Sequence, residues 1–453
     1  MQSQSARSFE GPKDPRFFVT LQYLRDASGF YRKNHQRYGS PFLLQTLRGP
    51  LVVVSTPEHA RAVFTADPDT LAVWGADALD PIVGPMSLLL VSGERHRRDR
   101  KLLTPPLHGA RMRGYAEVMR QAAVNASGRW SEGSVVRMLQ SAQEISLEVI
   151  LRTVFGAQDS EVMHEWTRLV TTMMESGTPA LMFFKALRVA PFGLGPWAHF
   201  AKARAAVDSK IYQEIHRRRE EKHYGDDVLS LMMQARYDDG SSFSDAELRD
   251  ELLTLLLAGH ETTAISIAWA MWLLHDNPMT LRRLRAELDG LAPHADAEAI
   301  AALPYLDAVC SETLRLHPVV IDVVRGLEKP LTIGNMVVPA GFAVSVSIAT
   351  IHEDPTLYPD PKGFVPERFL QRKFSPFEFL PFGGGHRRCV GAAFAMYEMK
   401  QVLAELIRRH TFELASHTAE VSVRRGITFG PRDGAPLRYV GPRSVAPTAA
   451  VTH

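Results

Sequence analysis

The chain has 453 residues, 45% of them hydrophobic and 23% charged, enough for a sizeable globular core and, on length alone, for about three domains. Its 52 basic and 50 acidic side chains nearly cancel, so there is no strong basic field and nucleic acid is excluded as a general partner. The two cysteines, Cys310 and Cys389, stand far apart and form no disulfide framework, as in a reducing compartment.

Residues 1–15 are polar, carry Gly11, Pro12 and Pro15, and lack the apolar core of a signal peptide. No stretch reaches the ~18 apolar residues of a spanning helix. The expectation is a cytoplasmic protein without a membrane span, with flexible tails over about 1–15 and 442–453. Residues 42–47 and 51–54 read as two strands around Arg48-Gly49-Pro50, and Thr56-Pro57 starts a helix with a threonine cap and proline in first position. Residues 74–91 read as an irregular apolar loop rich in Gly and Pro, either core filler or the lid of an apolar pocket. Residues 94–103 are strongly basic, and on a helix His96 and Arg100 share a face. That face is either solvated or binds an anion. From about 110 to 240 the pattern is helical, broken by Pro191-Phe192-Gly193-Leu194-Gly195-Pro196-Trp197, and Arg217-Arg218-Arg219 reads as an exposed helix end. There is no internal repeat.

A long helix follows. Ser244-Asp245-Ala246-Glu247 is a capping-box start and Asp276-Asn277-Pro278 a stop, and the ~30 residues between would span ~45 Å. Most of them are apolar, yet the centre reads Ala258-Gly259-His260-Glu261-Thr262-Thr263. A glycine and four polar groups inside a buried helix cost stability unless something uses them. Strand signals return at 330–348, residues 353–370 are punctuated by proline, a helix spans about 392–410, and 421–430 reads as strands. The chain is mainly α with a smaller β portion, without a convincing linker, and is read as one domain over 1–453.

Between these elements lies Pro381-Phe382-Gly383-Gly384-Gly385-His386-Arg387-Arg388-Cys389-Val390-Gly391. A cysteine here follows a glycine-rich turn and precedes a helix N-terminus, where backbone N–H groups and the helix dipole favour a thiolate. Arg387 and Arg388 push the same way. His260-Glu261 is not a zinc-protease helix, because position 264 is alanine rather than histidine. The three glycines lack the strand-then-helix context of a phosphate cradle.

Phe382-x-x-Gly385-x-Arg387-x-Cys389-x-Gly391 resembles the haem-thiolate signature of the cytochrome P-450 monooxygenases. Five fixed positions recur by chance in a chain this long only on the order of 10⁻⁴ of the time. In the family's order, Ala258-Gly259-His260-Glu261-Thr262-Thr263 resembles the oxygen-binding helix motif, and Glu312-Thr313-Leu314-Arg315 the Glu-x-x-Arg motif. Pro366-Glu367-Arg368-Phe369 resembles the segment that completes that charged cluster. The resemblance covers about residues 35–440.

The resemblance implies the cytochrome P-450 fold, with haem b (iron protoporphyrin IX) between the long central helix and the cysteine loop. Cys389 would be the axial ligand of the iron; its thiolate pushes electron density and favours O–O cleavage. Gly385 and Gly391 would pass the backbone close to the porphyrin, Phe382 would pack beside the sulfur, and Ala258 and Gly259 would leave room above the haem. His96, Arg100, Arg325 and Arg387 would take the propionates, which settles one side of the basic helix as anion-binding and leaves the other to dock an acidic electron donor. Thr262 would hydrogen-bond dioxygen and an ordered water, and Glu261 would relay protons inward. Glu312, Arg315 and Arg368 would be structural. The distal pocket would include Trp74, Met86, Leu88, Leu257, Val320, Val323, Ile427 and Phe429, for an apolar substrate such as a fatty acid, terpenoid, steroid or polyketide. Asp322, a charge in that set, orients a polar group or faces the surface. The implied partners are O2 and a separate ferredoxin with ferredoxin reductase, and the chain is expected to be a monomer. A peroxide-driven peroxygenase of the same fold is the alternative enzyme, although its members replace the acid–alcohol pair retained here. A haem-binding sensor, the non-enzymatic alternative, would not need that pair.

Overall fold

The computed structural model describes residues 9–443, apart from positions 110, 179, 180, 182, 183, 223, 293 and 294. The expected tail segments 1–8 and 444–453 lie outside the described residues. Residues 9–11 do not behave as a tail. Glu10 O accepts the Leu43 N–H at 2.8 Å, and a Cβ on Gly11 would sit 1.8 Å from Leu43 O. Pro442 likewise ends a strand, Pro436–Pro442.

A 32-residue helix, Asp245–Asp276, organises the fold. Its capping box forms: Glu247 N–H donates to Ser244 Oγ at 3.3 Å, and Ser244 N–H to the Glu247 carboxylate at 2.8 Å. From Thr263 to His275 every residue is buried. This is the one described helix long and apolar enough to cross a membrane, but 72% of that stretch is buried inside the protein, the condition of a core helix. It packs on α7 (Met138–Phe155), and with α6 (Arg111–Ser127) and the helix Ala392–Arg409 it encloses the main core. Gly259 sits at that contact, where an added Cβ would lie 2.9 Å from Ile150 Cδ1. The expected role of Gly259, making room over a haem, is thus replaced by close approach of two helices.

The largest sheet joins residues 42–73 to residues 322–347. β1 (Phe42–Thr46) and β2 (Gly49–Val54) pair antiparallel as read, and β2 lies parallel to Ala343–Ser347 with Leu51 opposite Ala343. The strand Asp322–Leu327 and β3 (Leu71–Val73) complete a five-stranded sheet. On one side Val52, Val54, Val344, Val346 and Leu380 share a buried cluster, so the residue preceding the cysteine loop is clamped to the sheet.

Two local readings change. Within 74–91, residues Ala76–Val83 form a helix, here α4, entered through Gly75 at φ 76°. Gly and Pro density hides it in the sequence. Pro81 has no N–H for Asp77 O, and that carbonyl instead accepts Arg188 Nη2 at 2.8 Å. Arg218 is not part of an exposed helix end; it is buried and bonds Asp227 at 2.5 Å and Phe155 O at 2.6 Å.

Glu398, on the helix Ala392–Arg409, is fully buried, and neither carboxylate oxygen has a hydrogen-bond partner. Burial pushes it up to about 8, with the nearby Ser146 hydroxyl offsetting only part of that. The folded chain therefore holds a proton that an unfolded glutamate, titrating near ~4.3, has released at neutral pH. The stability tied to that proton is complete at low pH and is lost as pH rises through about 8. Glu398→Gln should flatten the fall in urea-unfolding free energy between acid pH and pH ~8; a slope equal to the parent's would assign the titration to another group.

Candidate active site

The turn Gly385–Arg387 and the helix Ala392–Arg409 hold Cys389 between them. Cys389 N–H donates to Phe382 O at 3.0 Å, closing the loop on itself. Glycine is required here by protein, not only by a ligand. Gly385 has φ +68°, and its Cβ would lie 2.3 Å from Phe64 O of α3 (Pro57–Phe64), while a Cβ on Gly384 would strike the Phe64 ring at 2.5 Å. Gly391 has an ordinary φ of −88°, and a Cβ there would meet no protein atom. It caps the helix with bare backbone beside the sulfur.

The thiolate reading from the loop alone is not sustained. Part of the Cys389 surface is accessible, yet protein crowds it enough that burial pushes the thiol up, against the Gly391 backbone N–H and the charges of Arg388 and Arg100. Arg387 turns instead to the carbonyls of Leu88, Leu89 and Val91. The deficit is the one that a coordinated metal cation makes good, because it deprotonates its thiol outright.

The loop is braced from behind. Arg315 donates from Nε and Nη2 to both Glu312 oxygens at 2.7 Å, and Arg368 Nε reaches Glu312 at 3.0 Å. All three are buried. Arg315 also donates to His352 O at 2.9 Å and Pro361 O at 2.8 Å. His352 Nε2 accepts the Leu380 N–H at 2.9 Å, which fixes the proton on Nδ1, 3.2 Å from Arg315 O. Burial and the Arg315 charge hold His352 neutral, down to about 3. His352, absent from the sequence reading, carries the bracing from the charged cluster to the loop.

His96, Arg100, Arg325 and Arg387 converge from α5 (Gly93–Leu103), the strand Asp322–Leu327 and the loop. None has a carboxylate partner among the described residues. Burial and then Arg387, His386, Arg100 and Arg325 push His96 down to about 3. Burial and Arg387 bring Arg325 to about 10, and burial and Arg100 do the same to Arg387. Mutual repulsion of this kind calls for an anion, and a haem with two propionates fits. His386, whose ring meets His96 edge-on at 5.9 Å, is a fifth member that the sequence reading passed over. α5 is divided as its anion-binding reading requires: His96 and Asp99 are buried, while Arg97, Arg98 and Lys101 are exposed.

The otherwise buried central helix opens at Leu255–Thr262, with Ala258 exposed and Glu261 and Thr262 half-buried. Thr262 Oγ1 donates to Ala258 O at 2.6 Å. With its one proton committed, that hydroxyl offers lone pairs. Burial raises Glu261 above the usual carboxylate range, and the Arg425 charge counters it.

Among the expected pocket residues, Trp74, Met86, Leu257, Val320 and Val323 are half-buried and Leu88 is buried. Val323 lies against the loop, 3.5 Å from a Cβ built on Gly383. Ile427 departs from the expectation: it is 53% exposed at the tip between Ser422–Arg425 and Thr428–Pro431, because a hairpin turn projects its residues outward. Phe429 is buried in a small cluster with Ile321 and Ala349, under Arg424 at 4.6 Å. Asp322 neither faces the surface nor points to a ligand. It accepts Tyr31 Oη at 2.8 Å, Ser345 Oγ at 3.0 Å and Tyr23 Oη at 3.2 Å, tying the pocket strand to α1 (Arg16–Arg25) and α2 (Ala27–Tyr38). A separate groove of about 540 Å³ is lined by Arg111, Arg218, Asp226 and Asp227, whose charges already pair with one another.

An accessible cysteine braced by a buried charged cluster, beside cations that have no carboxylate partner among the described residues, in a chain whose central helix opens at an acid–alcohol pair, is the layout of a haem-thiolate protein. The Cytochrome P450 family pattern matches residues 10–433, and the chain belongs to that family of haem-thiolate monooxygenases. "Putative cytochrome P450 138" of Mycobacterium tuberculosis is 36% identical over 93% of this chain and 94% of its own length. "Putative cytochrome P450 135B1" of the same species is 34% identical over 97% and 94%. The solved structure of retinoic acid-bound cyanobacterial CYP120A1 superposes with a TM-score of 0.81 at 28% identity, covering 93% of this chain and 96% of that one.

Replacing Glu312 leaves two buried guanidinium groups without their carboxylate. Glu312→Ala should lose about 3–5 kcal/mol in urea unfolding. A loss under ~1 kcal/mol, the worth of a surface pair, would refute the bracing role.

Proposed function

We propose that the chain uses O2 to insert one oxygen atom into a sizeable apolar substrate by hydroxylation or epoxidation, with haem b as the group bound at Cys389. The observation that carries this reading is the convergence of His96, Arg100, Arg325 and Arg387, without carboxylate partners among the described residues, beside an accessible cysteine. When bound, the haem supplies the redox chemistry that cleaves O2.

The chain's own residues do the rest. Cys389 is the metal ligand, and Gly391 N–H supports its sulfur. Phe382, with Arg388 over its ring at 5.9 Å, covers the loop beside it. Arg100, Arg325 and Arg387 are the cations that would hold the propionates, with the neutral His96 ring beside them. Thr262, its proton given to Ala258 O, accepts a hydrogen bond from a water or a protonated oxygen in the cleft. Glu261, raised by burial, keeps a proton more readily than a surface glutamate and supplies it inward. Met86, Leu88, Leu257, Val320 and Val323 favour an apolar substrate, and the retinoic acid of the cyanobacterial neighbour supports the terpenoid class. Exposed Arg97, Lys101 and Arg388 suit an acidic donor, read as ferredoxin served by its reductase. The reading includes a cytoplasmic monomer.

Cys389→Ala tests the ligand: the reduced, carbon monoxide-treated protein should lose the red-shifted haem-thiolate band, and a variant that keeps it has another ligand. Thr262→Ala tests the cleft. Product per electron should fall, with hydrogen peroxide made instead. Unchanged coupling would remove Thr262 from proton handling.

A further inference from the structure

The segment 84–92 carries two of the expected pocket residues, Met86 and Leu88, yet it is neither helix nor strand. Its own turns join Ser87 N–H to Gly84 O at 3.3 Å and Leu90 N–H to Ser87 O at 2.8 Å. These bonds shape the segment, and side chains from elsewhere fix where it lies.

Its far end is held by Arg387, through the carbonyls of Leu88, Leu89 and Val91. Its near end is held by the central helix. Met86 N–H donates to Asp250 Oδ2 at 2.9 Å, and the Ser87 and Thr254 hydroxyls bond at 2.6 Å. Thr254 gives its own proton to Asp250 O at 2.7 Å, so Ser87 is the donor of that pair. Ser87, Asp250 and Thr254 are all buried.

Asp250 fits this segment by shape as well as by charge. Gly84 has φ +88°, and a Cβ there would lie 2.2 Å from Asp250 Oδ1. Bare backbone is thus pressed against the carboxylate. Asp250 also accepts from Arg249, whose Nε donates to Asp208 of the helix Pro196–Glu221 at 2.9 Å. The Arg249–Asp208 pair joins those two helices without Asp250. A small apolar side chain at position 250 would therefore leave Arg249 partnered and deprive Met86 N–H of its acceptor.

We propose that Asp250 is a positioning residue that holds the Met86–Leu88 rim of the pocket and so sets how tightly the site grips bulky apolar molecules. The Ser87–Thr254 bond is a second clasp on the same rim. A rim held in place loses less freedom when a ligand packs on it, which favours ligands large enough to reach it. The inference rests on the reading of these residues as pocket lining.

The test reads binding alone. The haem-loaded full chain is titrated with imidazole and with 1-dodecylimidazole, following the haem band. Imidazole needs only the iron, whereas the dodecyl tail also needs the rim, and the parent should prefer the tailed ligand. Asp250→Ala should cut that preference about tenfold, the scale of one hydrogen bond to a charged acceptor, by weakening the tailed ligand alone. Asp250→Asn keeps an oxygen for Met86 N–H and should retain the preference. Hydrogen exchange across 84–92 should quicken in Asp250→Ala and stay at the parent's rate in Asp250→Asn. Ser87→Ala, which opens the second clasp and leaves Asp250 in place, should lower the preference in the same direction and serves if Asp250→Ala does not fold. The parent's preference in these two alanine variants, or equal weakening of both ligands, would overturn the proposal and leave the monooxygenase reading standing. A parent that binds the two ligands alike overturns it together with the apolar-pocket reading.

Discussion

The buried pairing of Glu312 with Arg315 is the interaction on which the site depends. It is bidentate, fully enclosed, and completed by Arg368 and by carbonyls from 352 to 363. Desolvating three charges costs so much that only such geometry makes it tolerable. The consequence is mechanical. Arg315 fixes His352, His352 fixes Leu380, and the cysteine loop leaves from a point held on both the sheet and the helical core.

In front of that brace, the protein alone is electrostatically incomplete. Burial pushes its cysteine toward the neutral thiol, and burial together with neighbouring positive charge weakens the protonated forms of His96, Arg325 and Arg387. Each imbalance is answered by a group carrying a metal cation at its centre and two anions at its edge. Two unfavourable features of opposite demand, held on rigid elements, describe the cofactor's charge distribution more sharply than either does alone.

The central helix solves the complementary problem of admitting polar groups to a buried element. Its C-terminal half is enclosed, and it opens at Leu255–Thr262. There Gly259 turns to α7 and lets the helices meet, while Ala258, Glu261 and Thr262 face the opening. Helical periodicity makes this possible, because neighbouring residues point to different surroundings. It also explains why one motif holds a packing glycine and chemical side chains side by side.

Much of this was legible in the chain. Local rules placed the capping box at Ser244, the strands around Arg48-Gly49-Pro50, the helix after Gly391 and the spacing around Cys389, since each depends on residues within a few positions of one another. The short helix Ala76–Val83 was not legible, because Pro81 argues against it and its freed carbonyl is satisfied by distant Arg188. Nor were the burial of Arg218, the tyrosine partners of Asp322, the outward turn of Ile427 or the part played by His352. Sequence by itself determined the family and pointed to the cysteine and the acid–alcohol pair that the proposed function uses, because these are read from residue type at short spacing. Only the tertiary structure decided which glycine answers to protein backbone, which cations have no carboxylate partner among the described residues and how far burial opposes the Cys389 thiolate. Those depend on burial and on charges brought together from remote parts of the chain.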